Sequence, residues 1–100
     1  MPRISGIYAI VNVETGKRYI GGSRNITARW NQHRSKLKTG KHGSSKLQKA
    51  WDDSSPSYFY LQILERVDKN GLVEKEREWI AKTGVCKTGY NTYPDPSSPL

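Results

Sequence analysis

A single cysteine, Cys86, stands in the whole chain. It can form no internal disulfide and supplies no thiolate cluster, so a reducing, intracellular setting is the expectation. Long apolar runs are missing too. No stretch approaches the roughly 18–20 apolar residues of a membrane span, and no N-terminal segment reads as a secretory signal; a membrane partner is not expected. Hydrophobic residues make up 34% of the 100 positions and the mean hydropathy is −0.81, which fits one small domain with a thin core. Several catalytic signatures are absent as well. There is no carboxylate pair on an inward face, no Cys/His spacing for zinc, no phosphate-cradling Gly-rich loop ending in Lys-Ser or Lys-Thr, and no Gly-x-Ser-x-Gly elbow. A nucleotide cofactor is therefore not expected.

Acid is scarce in one half only. Residues 1–51 hold eleven Lys and Arg against a single carboxylate, Glu14, whereas residues 52–100 hold six basic and eight acidic residues. Between Glu14 and Asp52 the chain carries Lys17, Arg18, Arg24, Arg29, Arg34, Lys36, Lys38, Lys41, Lys46 and Lys49 with no acid among them. A half this one-sided points to a polyanion, nucleic acid before membrane; the plainer alternative is a solubilising basic surface. Arg18, Arg24, Arg34, Lys36, Lys46 and Lys49 are the candidate nucleic-acid contacts.

The element order follows from periodicity. From Gly6 to Val13 the pattern alternates, Ile7, Ala9, Val11 and Val13 one way and Tyr8, Ile10 and Asn12 the other, which predicts a strand. Glu14-Thr15-Gly16-Lys17 then turns the chain into a second extended run through Tyr19 and Ile20, closed by Gly21-Gly22-Ser23, so a β-hairpin is expected. Asn25 is a suitable N-cap for a helix to about Lys38, with Gly40 just past its end. A shorter helix over 45–52, capped by Ser44 or Ser45, would bury Leu47 and Trp51. Ser57 to Val67 is apolar on both faces and predicts a strand central in the sheet. A last helix runs from about Gly71 to Lys82, and Gly84 stops it. The expected fold class is α+β, a small three-stranded antiparallel sheet flanked by about three helices. It forms one domain over residues 1–92, with a Pro/Ser-rich unstructured tail at 93–100.

Three residues break the burial pattern. On the last helix, with Leu72 as origin and about 100° per residue, Glu76 falls at about 40°, among Trp79, Ile80 and Thr83. A carboxylate aimed beside a core must be ion-paired, hydrogen-bonded or metal-bound, since burying it bare costs several kcal/mol. A structural salt bridge and a metal site are both open at this point. On the first helix, Arg29 and His33 stand at i and i+4 beside the stripe of Ile26, Trp30 and Leu37. Tyr8 and Tyr19 stand on neighbouring strands of the hairpin. Arg, His, two phenols and one carboxylate in a basic setting suit phosphodiester hydrolysis: Arg neutralises phosphoryl charge, the carboxylate holds a divalent ion, and a phenol or imidazole takes a proton from water. One inward carboxylate favours one ion over two.

Gly6-Ile7-Tyr8 and, ten residues later, Tyr19-Ile20-Gly21 resemble the signature of the GIY-YIG nuclease domain. The resemblance continues through Arg29-Trp30, His33, Glu76 ahead of Trp79-Ile80, and Gly89-Tyr90-Asn91, over about residues 5–92. The stretches His42 to Gln48 and Gly89-Tyr90-Asn91 look most like phage and intron-encoded homing endonucleases; an excision-repair incision subunit and certain restriction enzymes share the domain. The resemblance implies a three-stranded antiparallel sheet with flanking helices, and DNA-strand hydrolysis with one Mg²⁺ or Mn²⁺. By position it implies Glu76 as metal ligand and Arg29 as stabiliser of the phosphoryl transition state. Tyr8 becomes general base or water-positioning group, Tyr19 a second active-site phenol, and His33 a further contact. Asn91 and His42 become supporting residues. A phenol ionises near pH 10 and an imidazole near 6.5, so His33 is the easier proton acceptor on chemical grounds. Tyr8 and His33 both remain candidates.

Three readings compete: a homing-type endonuclease, a structure-specific repair or restriction-type nuclease, and a nucleic-acid-binding module without chemistry. One site cuts one strand per engagement, so a double-strand break needs a transient dimer on DNA or sequential nicking. Family members normally carry a further DNA-recognition region, and this chain ends in Pro-Asp-Pro-Ser-Ser-Pro-Leu. An isolated catalytic domain or a small free-standing nuclease is expected, with modest sequence selectivity and a log K against log salt slope of roughly −4 to −5.

Overall fold

In a computed structural model of the chain, residues 3–91 are described. Strand β1 (Gly6–Asn12) turns through a loop into β2 (Arg18–Ser23); helices α1 (Ile26–Lys38) and α2 (Ser45–Asp53) follow, then β3 (Phe59–Arg66), α3 (Leu72–Thr83) and a single-turn α4 (Val85–Thr88). The sheet runs β2-β1-β3, and both pairings are antiparallel. In the hairpin loop Gly16 takes φ 75°, the left-handed conformation that β-carbons disfavour. Asn25 caps α1 as expected, its side chain accepting from the Ala28 amide, and Ser44 caps α2 by accepting from the Leu47 amide. The expected tail, 93–100, lies outside the described residues.

The central strand is β1, not the strand that follows α2. Every residue of β1 is buried, and its two faces feed two separate cores. Tyr8 and Ile10 pack with Ile26, Leu37, Leu47, Trp51, Phe59 and Tyr90 under α1 and α2. Ile7, Ala9 and Val11 pack with Ile20, Ile80 and Val85 under α3 and α4. By contrast β3 is an edge: Tyr60 is 45% and Ile63 42% exposed despite their apolar character. Hydrophobicity alone cannot tell a covered strand from an edge whose aromatic and branched side chains lie flat in solvent. Val13, placed in the first strand by the alternation, falls past its end and is 57% exposed.

Two details aim the sheet at one end. The β1–β3 register slips between Ile7 and Tyr8, which face Glu65 and Ile63, so Leu64 is an extra residue in a β-bulge beside Tyr8. The outer edge of β2 is closed by a side chain: Asn91 Oδ1 accepts from the Ile20 amide at 2.7 Å, and its Nδ2 donates to the Ile20 carbonyl at 2.9 Å. Asn91 thus stands where a fourth strand would bond.

The corrected topology predicts unequal costs for the same truncation. Ile10→Ala, on a strand covered on both faces, should lower unfolding free energy by about 2–4 kcal/mol in urea denaturation, and Ile63→Ala by less than about 1 kcal/mol.

Candidate active site

Two consecutive glycines on β2 make room for the site. A Cβ at Gly21 would lie 2.5 Å from the Tyr8 hydroxyl oxygen, and one at Gly22 would lie 2.8 Å from Glu76 Oε1. Successive residues of a strand face opposite sides. The phenol therefore crosses one side of β2 and the carboxylate the other.

Glu76 projects from α3, which packs on β2 and β1. It is half-buried, a Gly22 backbone hydrogen bond holds it, and it enters no ion pair among the described residues. Of the two readings left open for Glu76, the structural salt bridge finds no partner among the described residues. Burial pushes its pKa up to about 7, against the Gly22 hydrogen bond and the Arg29 charge, which both lower it. Its neighbours Glu74 and Glu78 point to solvent and pair with Arg77 and Lys75.

On the other side Tyr8 is 1% exposed, and its hydroxyl lies 2.6 Å from His33 Nε2. His33 Nδ1 in turn lies 2.7 Å from His42 Nε2. Tyr19 stands edge-on to both imidazoles, with ring centroids 5.4 and 5.6 Å away. Burial raises Tyr8 and Tyr19 above the usual phenol value, Arg29 opposing it in each. Burial, then the neighbouring His42, Arg29 and Lys36, pulls His33 down to about 3. Burial also lowers His42. His33 is therefore neutral at physiological pH, with both ring nitrogens in hydrogen-bond contacts. It is a poorer proton acceptor than its ordinary value implies.

Tyr19, Arg29, Gln32, His33, Lys36, His42 and Gly43 line a cleft of about 100 Å³. A second cleft of about 310 Å³ shares Arg29 and Gln32 with it and adds Arg3, Ser23, Arg24, Asn25 and Ala28. The Arg29 guanidinium donates to Gln32 Oε1 at 3.1 Å, so this pair forms the ridge between the clefts.

The structure thus gathers Tyr8, Tyr19, Arg29, His33, His42 and Glu76, with Asn91 bracing the Ile20 segment between Tyr19 and Gly21. Of the candidate basic contacts, Arg24 and Lys36 line the clefts. Arg34 bonds Asn31 and lies over the Trp30 ring, Lys49 pairs with Asp53, and Lys46 donates to the carbonyls of Cys86 and Asn91. Arg18 lines neither cleft; its backbone carbonyl accepts from the Tyr90 amide. Sequence reasoning missed Arg3 and Gln32. Gln32 stands three residues after Arg29 on α1, and that i, i+3 spacing was the available signal.

A family profile described as the GIY-YIG catalytic domain matches residues 4–91. The chain belongs to the GIY-YIG catalytic domain family. It is 35% identical over 89 residues to intron-associated endonuclease 1 of Enterobacteria phage T4; that match covers 87% of this chain and 36% of the phage protein. The chain thus spans about a third of that relative's length. Among solved structures, a mutant catalytic domain of intron endonuclease I-TevI superposes with TM-score 0.87 at 31% identity, covering 95% of this chain and 99% of that one. The catalytic domain of homing endonuclease I-TevI gives TM-score 0.81 at 33% identity, covering 89% and 98%. The expected GIY-YIG fold, three antiparallel strands with flanking helices, is the one found. Among the described residues no helix is long and apolar enough to cross a membrane.

The unpaired carboxylate predicts a pH-dependent cost. A carboxyl whose folded pKa is about 7 rather than its ordinary 4.5 favours folding while protonated, and that contribution is lost as pH rises through 7. In EDTA at pH 8, Glu76→Gln should raise the unfolding free energy by about 1–2 kcal/mol, and the gain should vanish at pH 4. Urea titrations of the two proteins at both pH values measure it.

Proposed function

We propose that the domain hydrolyses DNA phosphodiester bonds at this site, with one divalent cation, Mg²⁺ or Mn²⁺, held by Glu76. The observation that carries the reading is the half-buried Glu76, without an ion pair among the described residues and within electrostatic reach of Arg29, which lines both clefts. Among the described residues no three His, Cys, Asp or Glu side chains converge as a metal cage. A lone carboxylate fits a hard cation that takes its other ligands from substrate phosphate and water, as Mg²⁺ commonly does. When bound, such an ion supplies Lewis-acid polarisation of a phosphoryl oxygen.

The chain's own groups do the rest. Arg29, fixed by Gln32, faces the first cleft and offsets charge that builds on the phosphoryl oxygens. Tyr19 and His33 wall the cleft and exclude water from one side of a bound phosphate. Tyr8, in contact with His33 and raised by burial against the opposing Arg29 charge, orients the attacking water, and it accepts that water's proton only as it passes its own hydrogen on; His33, at about 3, supports that phenol rather than replacing it. The second cleft, with Arg3 and Arg24, extends the path of a DNA strand past the scissile phosphate. This is the reading of a homing-type catalytic domain, cutting one strand per engagement.

Supercoiled plasmid should be converted to nicked circles before linear product appears, with Mg²⁺ or Mn²⁺ and not with EDTA. Arg29→Ala should lower kcat on the order of 10²–10³-fold, and Glu76→Ala should abolish nicking above background. Nicking that persists in EDTA and in Glu76→Ala would sink the one-ion reading. Plasmid retarded in a gel yet never nicked would mark a binding module.

A further inference from the structure

The contacts around His33 and His42 continue into the backbone, and there they acquire a direction. The Ser44 amide nitrogen lies 2.9 Å from His42 Nδ1. A backbone N–H can only donate, so His42 Nδ1 must offer its lone pair. A neutral imidazole carries one N–H, which for His42 is then on Nε2, facing His33 Nδ1 at 2.7 Å. His33 Nδ1 accepts it, so the His33 hydrogen also sits on Nε2, facing the Tyr8 oxygen at 2.6 Å. Every other pair of neutral tautomers sets two donors or two lone pairs face to face somewhere along this line. We propose that the Ser44 amide is a tautomer lock: through His42 and His33 it delivers an N–H to the Tyr8 oxygen and turns the phenol's own hydrogen away from His33. His42, Ser44 and Gln48 are thereby positioning residues.

The lock is itself held. Ser44 is buried, and its Oγ donates to the Tyr90 carbonyl at 2.5 Å while accepting from the Leu47 amide at 3.2 Å. Gln48 accepts from the His42 amide at 3.1 Å and donates to the Leu37 carbonyl at 2.9 Å, tying the α1–α2 loop to the end of α1. The two imidazoles lie end to end, their centroids 4.9 Å apart with 28° between planes, and Tyr19 stands edge-on to both, which resists ring rotation. Burial keeps both rings neutral, as the line requires. The consequence for chemistry is an oriented phenol. Its oxygen already receives a hydrogen bond that strengthens as negative charge develops there, and its own hydrogen points away from His33.

The inference deepens the nuclease reading, and its first test needs neither DNA nor metal. The chain holds two histidines, so long-range ¹H–¹⁵N NMR at pH 7 shows both imidazoles without crowding. Two fixed Nε2–H tautomers are expected; an Nδ1–H tautomer at either ring, or an averaged mixture, would overturn the lock. In His42→Gln the side-chain amide nitrogen can replace Nε2 as donor, whereas His42→Met has no donor. His33 should keep its Nε2–H tautomer in His42→Gln and show an averaged one in His42→Met. Plasmid nicking should then fall less than about 5-fold in His42→Gln and more than about 50-fold in His42→Met, in kcat with KM little changed. Equal losses in the two variants, or an Nε2–H tautomer retained in His42→Met, would also overturn it. A wild-type protein that shows both tautomers yet never nicks would leave the lock standing and remove the nuclease reading alone.

Discussion

Everything at the site depends on two missing β-carbons. Strand β2 is an edge, and at Gly21 and Gly22 it presents bare backbone to both sides, so a phenol and a carboxylate approach it within van der Waals distance from opposite faces. The Gly22 backbone bonds Glu76, and the Ile20 backbone bonds Asn91. An edge strand normally leaves such outward groups to solvent or to another chain. Here one is spent on the end of the domain and the other on holding the group proposed to bind the cation. Strand edge and candidate active site are one structure.

That economy has an electrostatic cost. The carboxylate is half-buried without an ion-pair partner, and the imidazole opposite it is buried without charge. The two pull stability in opposite directions with pH: Glu76 favours folding below its raised value, and His33 favours folding above its ordinary one. Stability in the absence of metal is therefore greatest on neither flank. The double-sided core along β1 offsets the cost; among the described residues fourteen hydrophobic ones are buried, and they pack on both sides of one strand.

Much of this was legible in the residues. The hairpin, the Asn25 cap and the Glu76 anomaly are local: each needs only a turn, one hydrogen bond or a helical angle. The central strand was not, because β1 carries Tyr8 and Asn12 on one face and reads as half-polar. Asn12 is in fact buried, its Nδ2 donating to the Tyr90 hydroxyl at 3.2 Å. Long side chains were the other failure. Lys46 lies in the acid-free segment, yet its ammonium is held by carbonyls forty and forty-five residues away. Neither backbone direction nor composition reveals where four methylenes will lead. The Ser44 amide had no signal at all, since every non-proline residue has one.

The bulge at Leu64 shapes more than the wall beside Tyr8. It lies in the outer strand, whose far side bonds nothing in the described chain and carries the exposed Tyr60 and Ile63. A flat apolar edge of that kind is a template for fibrils. One surplus residue bends and twists it, and the exposed Gln62 and Arg66 flank the apolar pair with polar groups. The irregularity beside Tyr8 thus also makes β3 a poorer template for pairing with another copy of the molecule.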